Sequence, residues 1–392
     1  MIGKISLAWL QLTYQKFRFL VAIAGITFVV ILMFTQLGFQ DALYLSATRL
    51  HHSLQGDLFL ISSQYKSLTS NQSFSRTSLY QVLGFNGVAS VSPMHLGFAK
   101  FKNPENDEKY SIYVIGIEPD KNPINLSEVA QNLDKIKIPD FVLFDRKSRP
   151  EFGPVAENFE SKQTEQIVEI SPFNAIKGYR VRVVGLFSLG PSFGVDGNLI
   201  VSESTFLRIF LNTRNYEMID IGAVSLNPGV EKQKILENIQ VSLPKDVKIF
   251  TREEFINFEK KYWATRTPIG FILNLMLVMG FVVGVVIVYQ ILYSNISTQI
   301  TAYATLKAIG YSNDYFLKVV FEQSIILAFF GYIPGFAISL CIYNFAMVST
   351  QLPITMSINN MLIILITTNF MCMVSGTLAM NKLRSADPAD IF

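Results

Sequence analysis

The chain has 392 residues, half of them apolar, and a net charge of only +3. It carries no Lys/Arg-rich block of the kind that tracks phosphates, which excludes a nucleic-acid binder. Its two cysteines, Cys341 and Cys372, both fall inside apolar runs, which excludes a disulfide framework or a thiolate metal site and leaves small packing residues.

Residues 1–18 set Ile5, Trp9, Leu12 and Phe17 among Lys4, Gln11, Gln15 and Arg18. That pattern predicts an amphipathic helix in the cytoplasmic membrane interface, with Trp9 at headgroup level. Residues 19–40 then run for about 22 residues without a charge, enough to cross a hydrocarbon core of roughly 30 Å. No small-x-small cleavage site closes the run, so a retained first span is expected rather than a signal peptide.

Residues 41–266 have the character of a soluble domain large enough to bury its own core. Strand-like runs recur at 57–62, 88–102, 110–117, 141–144, 166–170, 179–187, 198–201, 219–226 and 247–250. Helical patterns fall at 76–83, 202–210, 230–241 and 252–263. Their order predicts an α+β domain, one lobe split by a second, mostly β lobe at about 120–211. Its first and last helices are expected to run straight into the spans as a stalk, because no turn residues intervene.

A second span is expected at 267–293, with Tyr262 and Trp263 as an aromatic belt at its outer edge. Gly280 and Gly284 within it form a small-xxx-small pair suited to close helix packing or self-association. The segment 294–318 follows. Its core, Tyr303, Ala304, Leu306, Lys307, Ala308, Ile309 and Gly310, is a short helix-forming run ending at a glycine stop. Ser312 or Asn313 can cap the next helix. So short a helix needs support, and it suits a docking surface for a soluble partner; an ordinary interhelical loop is the alternative. A third span is expected at 319–348, kinked at Gly331, Pro334 and Gly335. A short turn at 349–357, a fourth span at 358–380 and a tail at 381–392 complete the chain. The fold class is thus an α-helical membrane protein with four transmembrane helices and a large α+β domain inserted between helices 1 and 2.

Lys4, Lys16, Arg18, Lys307, Lys318, Lys382 and Arg384 flank the spans, and the 349–357 turn has no basic residue. The positive-inside rule then places both termini and the 294–318 loop in the cytoplasm and the large domain outside.

No catalytic constellation is visible. The sequence lacks G-x-x-x-x-G-K-[ST], H-E-x-x-H, G-x-S-x-G and C-x-x-C, so neither enzyme, metal nor cofactor is expected. His51 and His52 are adjacent and diverge, and His95 is distant, so all three read as surface or stalk residues. Glu322, inside a membrane segment, stands one turn after Lys318 and reads as half of an interfacial ion pair rather than a proton relay. Asn274, Asn344 and Asn369 suit interhelical hydrogen bonds. The charged stretch FDRKSRPEFGP (144–154) and the turn SLGPSFGVDGN (188–198) are each a partner contact or a plain loop. At the second, Phe187, just before it, and Phe193, within it, are expected to be exposed.

One span, a large outside domain and three further spans resemble the FtsX/MacB-type permeases, the mechanotransmission class of ABC transporters. The segments ATLKAIGYSNDYFLKVVFEQSIILA, GYIPGFAISL, KLRSADPADIF, FDRKSRPEFGP and LGPSFGVDGNLIVSESTFLRIF resemble its DevC subfamily, cyanobacterial permeases tied to glycolipid export. The resemblance covers essentially the whole chain. It implies an inner-membrane homodimer with a periplasmic domain and a separate, DevA-like ABC ATPase that holds the ATP. A DevB-like periplasmic adaptor and a TolC-like outer-membrane channel complete the implied assembly. Residues 303–310 would be the coupling helix, and Gly280 and Gly284 a dimer seam. The external loops, with Asp145, Arg146, Arg149, Glu151 and Phe193, become candidate adaptor contacts. MacB-like coupling loops usually carry an acidic-basic run, whereas residues 299–305 are nearly uncharged, which implies a dedicated ATPase. An FtsX-like scaffold activating a periplasmic hydrolase and a Lol-like lipoprotein-extraction subunit are the alternatives.

Overall fold

A computed structural model describes residues 7–162, 166–173, 175, 177–211 and 213–384. In chain order the elements begin with α1 (Leu7–Tyr14), α2 (Lys16–Ala47), α3 (Arg49–Ser53), β1 (Leu58–Ser62), β2 (Phe74–Ser75) and α4 (Arg76–Gln81). Next come β3 (Val88–Lys102), β4 (Lys109–Ile117), α5 (Ser127–Ala130), α6 (Leu133–Ile136), β5 (Phe141–Asp145), α7 (Val155–Lys162) and β6 (Gln166–Pro172). They are followed by β7 (Tyr179–Phe187), β8 (Asn198–Ser202), α8 (Glu203–Ile209), β9 (Met218–Ile219), β10 (Ile221–Leu226), α9 (Lys232–Ser242), β11 (Val247–Thr251) and α10 (Arg252–Thr265). The last are α11 (Pro268–Thr298), α12 (Ile300–Ala308), α13 (Asn313–Thr350) and α14 (Ile358–Arg384). Two units result: Leu43–Thr267 with Gln351–Pro353, and the helical segments on either side.

In the first unit nine strands form one sheet, in the order β11-β1-β10-β3-β4-β8-β5-β7-β6. The 15-residue β3 is its hinge. Its first half pairs with β10, and further along, Ala99–Lys102 pair with Pro172–Glu169 of β6. That second pairing closes β3, β4, β8, β5, β7 and β6 into a six-stranded barrel. Alternate residues of all six strands, among them Phe101, Val114, Phe144, Ile170, Val183 and Leu199, fill its interior together with Phe152 and Phe206. Gly116 permits this packing, since a Cβ there would stand 2.7 Å from Phe206 Cβ.

The expected inserted lobe at 120–211 is therefore not self-contained. Its four strands would leave two unpaired edges, and borrowing β3 and β4 removes them. The remaining strands carry α4 and α9 over a core of Leu58, Leu60, Leu79, Val91, Ile239 and Ile249. α3 and α10 cover a third core that includes Phe59, Ile61, Leu96, Ile115 and Phe255.

The stalk expectation is met only in part. α2 extends to Ala47 before a break at Thr48, and α10 stops at Thr265, two residues short of Pro268. Proline at a first helical position starts a new helix and cannot continue the old one's hydrogen bonds. α10 itself begins with a full capping box between Thr251 and Glu254.

In the helical unit α2, α11, α13 and α14 are each long and apolar enough to cross a membrane. α13 runs unbroken through Pro334. Gly331 and Gly335 lie against Ile26 and Val30 of α2, where small residues let backbones approach. Polar side chains pair between helices: Thr27 Oγ1 donates to Gly331 O (3.1 Å), Gln40 Nε2 to Asn274 Oδ1 (2.7 Å) and Asn360 Nδ2 to Asp41 Oδ2 (2.7 Å). Asn369 bonds back to Leu365 of its own helix.

Of the expected interfacial helix at 1–18 the structure describes α1, in which Leu10 and Tyr14 are exposed, Gln11 bonds to Gln323 and Trp9 packs on Phe19 and Phe330. One expectation is corrected here. Gly280 and Gly284 do not face outward as a dimer seam. They are buried against Gln36 and against Val29 and Met371 of the same chain. The open face of α11 carries Ile272, Leu275, Met279, Val282 and Val286 instead.

Gly284→Val is therefore expected to lower the unfolding temperature of the detergent-solubilised chain, through overpacking worth about 1–3 kcal/mol. Val282→Ala, on the open face, should leave it nearly unchanged. Thermal unfolding of both variants checks the assignment.

Candidate functional site

The short helix α12 sits between two of the long apolar helices, and its end is built by backbone chemistry. Gly310 has φ +105°, a conformation that disfavours side chains. Its N–H donates to Lys307 O (3.0 Å), and the Tyr311 N–H donates to Leu306 O (3.2 Å). These two bonds are a Schellman motif, and they satisfy carbonyls the helix end would leave open. Ser312 occupies the cap position of α13, its carbonyl accepting from Tyr315 N–H at 3.1 Å. Asn313 is already the first helical residue.

A nine-residue helix has little stability of its own. Support comes from α1 and α2, a feature the sequence reading missed. Gln299, the cap residue of α12, donates to Gln11 O (3.4 Å), and Gln323 of α13 donates to Gln11 Oε1 (2.7 Å). Arg18 Nη1 donates to Thr298 Oγ1 at 2.7 Å. Lys307 and Ile309 are exposed, Ile309 at 71%, and Leu306 is half-buried. The side chains of Tyr303, Ala304 and Ala308 lie outside the described ones. On α13, Lys318 is exposed and Glu322 half-buried, one turn apart.

The two external stretches singled out from sequence fold onto each other. Asp145, at the end of β5, is buried and accepts from Lys147 N, Leu189 N, Gly190 N and Asn198 Nδ2 at 2.7–3.1 Å. Burial raises its carboxyl above the usual range, although these donors pull the other way. It organises the loop and cannot touch a partner, which corrects that expectation. Arg146 reaches Glu128 (3.5 Å) and Glu160 (3.3 Å), and Arg149 reaches Asp196 (2.8 Å). Glu151 is exposed and Phe193 half-buried. Phe187 is fully buried, not exposed, because it ends a strand whose alternate faces both meet cores. From α3, Arg49 Nη1 donates to Leu189 O at 3.0 Å, so this helix clamps the same loop.

The histidines are not surface residues as a group. His95 is buried, its Nε2 2.6 Å from Glu203 Oε1, which also receives Arg76 at 2.5 Å. His52 is exposed. His51 is buried on α3, edge-on to Phe255. Its Nε2 stands 3.6 Å from Oε2 of Glu259 on α10, and both side chains are fully buried. Glu259 accepts from Trp263 Nε1 (3.0 Å), Leu68 N (3.2 Å) and Tyr65 Oη (3.2 Å). Both nitrogens of His51 lack a hydrogen-bond partner.

Burial pushes Glu259 up to about 7, against its hydrogen bonds, and pushes His51 down to about 3, with His52 adding to the effect. Between about pH 3 and about pH 7 the contact is thus a neutral acid beside a neutral imidazole and not a charged pair, because desolvating two ions outweighs their attraction. A cavity of about 30 Å³, with Arg49, Gly190 and Asn198 on its wall, also touches Glu259 and Trp263. Among the described residues no group of three or more His, Cys, Asp or Glu is arranged to hold a metal.

Residues 274–388, which include α12, match the family model described as FtsX-like permease C-terminal. No curated protein matches the chain. Among solved structures it is similar to the periplasmic region of MacB from Actinobacillus actinomycetemcomitans. That match has 12% identity and a TM-score of 0.35, covering 52% of this chain and 92% of that one. A second is the extracellular domain of the noncanonic ABC-type transporter YknZ from Gram-positive bacteria, with 16% identity and a TM-score of 0.32. It covers 50% of this chain and 99% of that one.

The buried pair sets a pH signature. Glu259, raised from 4.5 to about 7, contributes stability that is lost as pH rises through that window. His51, lowered from 6.5 to about 3, contributes stability that is lost as pH falls from 6.5. The two effects oppose each other between 4.5 and 6.5, so the native pair is expected to add little slope there. His51→Phe should make stability fall with rising pH, by about 1.4 kcal/mol per unit, and Glu259→Gln should reverse the sign. Unfolding temperatures at pH 4.5, 5.5 and 6.5 for the three proteins test this.

Proposed function

We propose that this chain is the membrane subunit of a tripartite ABC exporter, driven by a separate ATPase. What carries the reading is α12. It is a short helix stopped by a Schellman motif, held at its start by Gln11 and Arg18, and lying within a segment that matches an FtsX-like permease domain. It presents Lys307 and Ile309 to solvent, which suits a docking knob for a soluble partner. The basic residues flanking the long helices support placing α12 and both termini in the cytoplasm and residues 43–267 in the periplasm.

In this reading the chain works as a homodimer. ATP binding closes the ATPase pair, α12 moves, and α11 and α13 carry the motion through the membrane. The chain itself holds no ATP. The large domain engages a periplasmic adaptor that leads to a TolC-like channel, and the DevC resemblance supports a glycolipid or similar envelope amphiphile as cargo. Arg146 and Arg149 are spent on internal ion pairs, so Glu151 and Phe193 are the better adaptor contacts of the five.

Ile309→Asp places a charge on an exposed residue without disturbing the chain's own packing. It is expected to weaken binding of the partner ATPase on the order of 30-fold or more, as for an interface anchor, while leaving the unfolding temperature within about 1 °C. Co-purification and a binding titration check it. Unchanged ATPase binding would remove α12 as the docking element.

A further inference from the structure

Phe258, Lys261, Tyr262 and Thr265 recur along α10 at spacings of three and four, which puts them on one face. The turn after β1 brings Tyr65 and Lys66 opposite. With Arg266, these residues line an open groove of about 550 Å³. Tyr65, Phe258 and Tyr262 give it an aromatic wall. Lys66, Lys261 and Arg266 are exposed, and none forms an ion pair among the described residues. The stretches 63–70 and 257–267 contain four cations, Lys66, Lys260, Lys261 and Arg266, against one carboxylate, Glu259. That carboxylate is turned inward and fully buried. The groove is therefore cationic with no counter-charge of its own.

Its place in the chain narrows the ligand. Arg266 stands two residues before Pro268, where the apolar helix α11 begins. Two residues of chain span at most about 7 Å. Arg266, at the groove's edge, is therefore within that distance of the first residue of α11. Tyrosines at such a level present an apolar ring and a polar tip to headgroups, and basic residues there attract anionic lipid.

We propose that this groove binds the headgroup of an anionic phospholipid, with the glycerol and upper acyl chain against Tyr65, Phe258 and Tyr262. A free anion would use the cations but not the aromatic wall. The inference rests on α11 spanning a membrane. Under the exporter reading it makes the groove the place where a charged amphiphile meets the moving domain, because Tyr65 touches both the groove and Glu259.

The test is photo-crosslinking of the full chain, reconstituted in phosphatidylcholine nanodiscs, with a diazirine phosphatidylglycerol whose reactive group sits near the headgroup. Labelled peptides are mapped by mass spectrometry. Labelling of 65–66 and 258–266 is expected, competed by excess phosphatidylglycerol and not by excess phosphatidylcholine or inorganic phosphate. Lys66→Gln/Lys261→Gln/Arg266→Gln should reduce it on the order of tenfold or more, and Lys66→Arg/Lys261→Arg/Arg266→Lys should retain it. Equal competition by phosphatidylcholine, competition by inorganic phosphate alone, or labelling confined to α11–α14 would overturn the proposal. The competition arms use the unaltered chain and stand even if a variant misfolds. ATPase binding through Ile309 is measured separately, so failure of the lipid site and failure of the exporter reading are distinguishable.

Discussion

Glu259 is a fully buried carboxyl, and the groups that satisfy it tie together the segments around it. Its carboxyl reaches back to Trp263 on its own helix, across to Tyr65 and Leu68 in the turn after β1, and toward His51 on α3. Those hydrogen bonds fasten α10, the helix that precedes α11, to the turn after β1, while α3 meets α10 through the packing of His51 on Phe255. Leaving a buried polar group unpaired costs about 1–3 kcal/mol, so α10 and the turn after β1 cannot separate without breaking several bonds at once. Phe255 packs edge-on to His51 and stacks on Phe59, so α3 and α10 rest on the core that also holds Ile61.

The same economy governs α12. Its end is closed by two backbone bonds that depend on the positive φ of Gly310 and not on side-chain chemistry. The start is held by Gln11, whose carbonyl and side chain serve α12 and α13 together. A helix so short is thus tied at its start to α1 and closed at its end by its own backbone. Lys307 and Ile309 remain exposed.

Much of this was legible in the sequence where the signal is local. Uncharged runs longer than a bilayer's thickness marked the four long helices. Alternation and β-branched residues marked most of the strands, and Gly310 marked the stop of α12. What escaped was non-local. Nothing in residues 88–102 says that β3 changes partner from β10 to β6, because barrel closure is decided by an edge some 70 residues away. The four-residue helices α5 and α6 are too short to show a period. Gly280 and Gly284 announce close packing but not against whom, and Met371 and Val29 answered before any second chain could. A glutamine in an apolar segment such as Gln11 reads as a surface residue until its partners on α12 and α13 are in view. Glu259 carried a faint signal, being followed at i+4 by a tryptophan whose N–H needs an acceptor.

Under the exporter reading proposed above, α12 and the large domain lie on opposite sides of one membrane. Thiol accessibility tests it most directly, in a Cys341→Ser/Cys372→Ser background, with Ile309→Cys and Glu151→Cys introduced singly. A membrane-impermeant maleimide is applied to cells whose outer envelope has been opened while the inner membrane stays sealed. Glu151→Cys is expected to be labelled at once and Ile309→Cys only after the inner membrane is permeabilised. Labelling of both in sealed cells, or the reverse order, would contradict it.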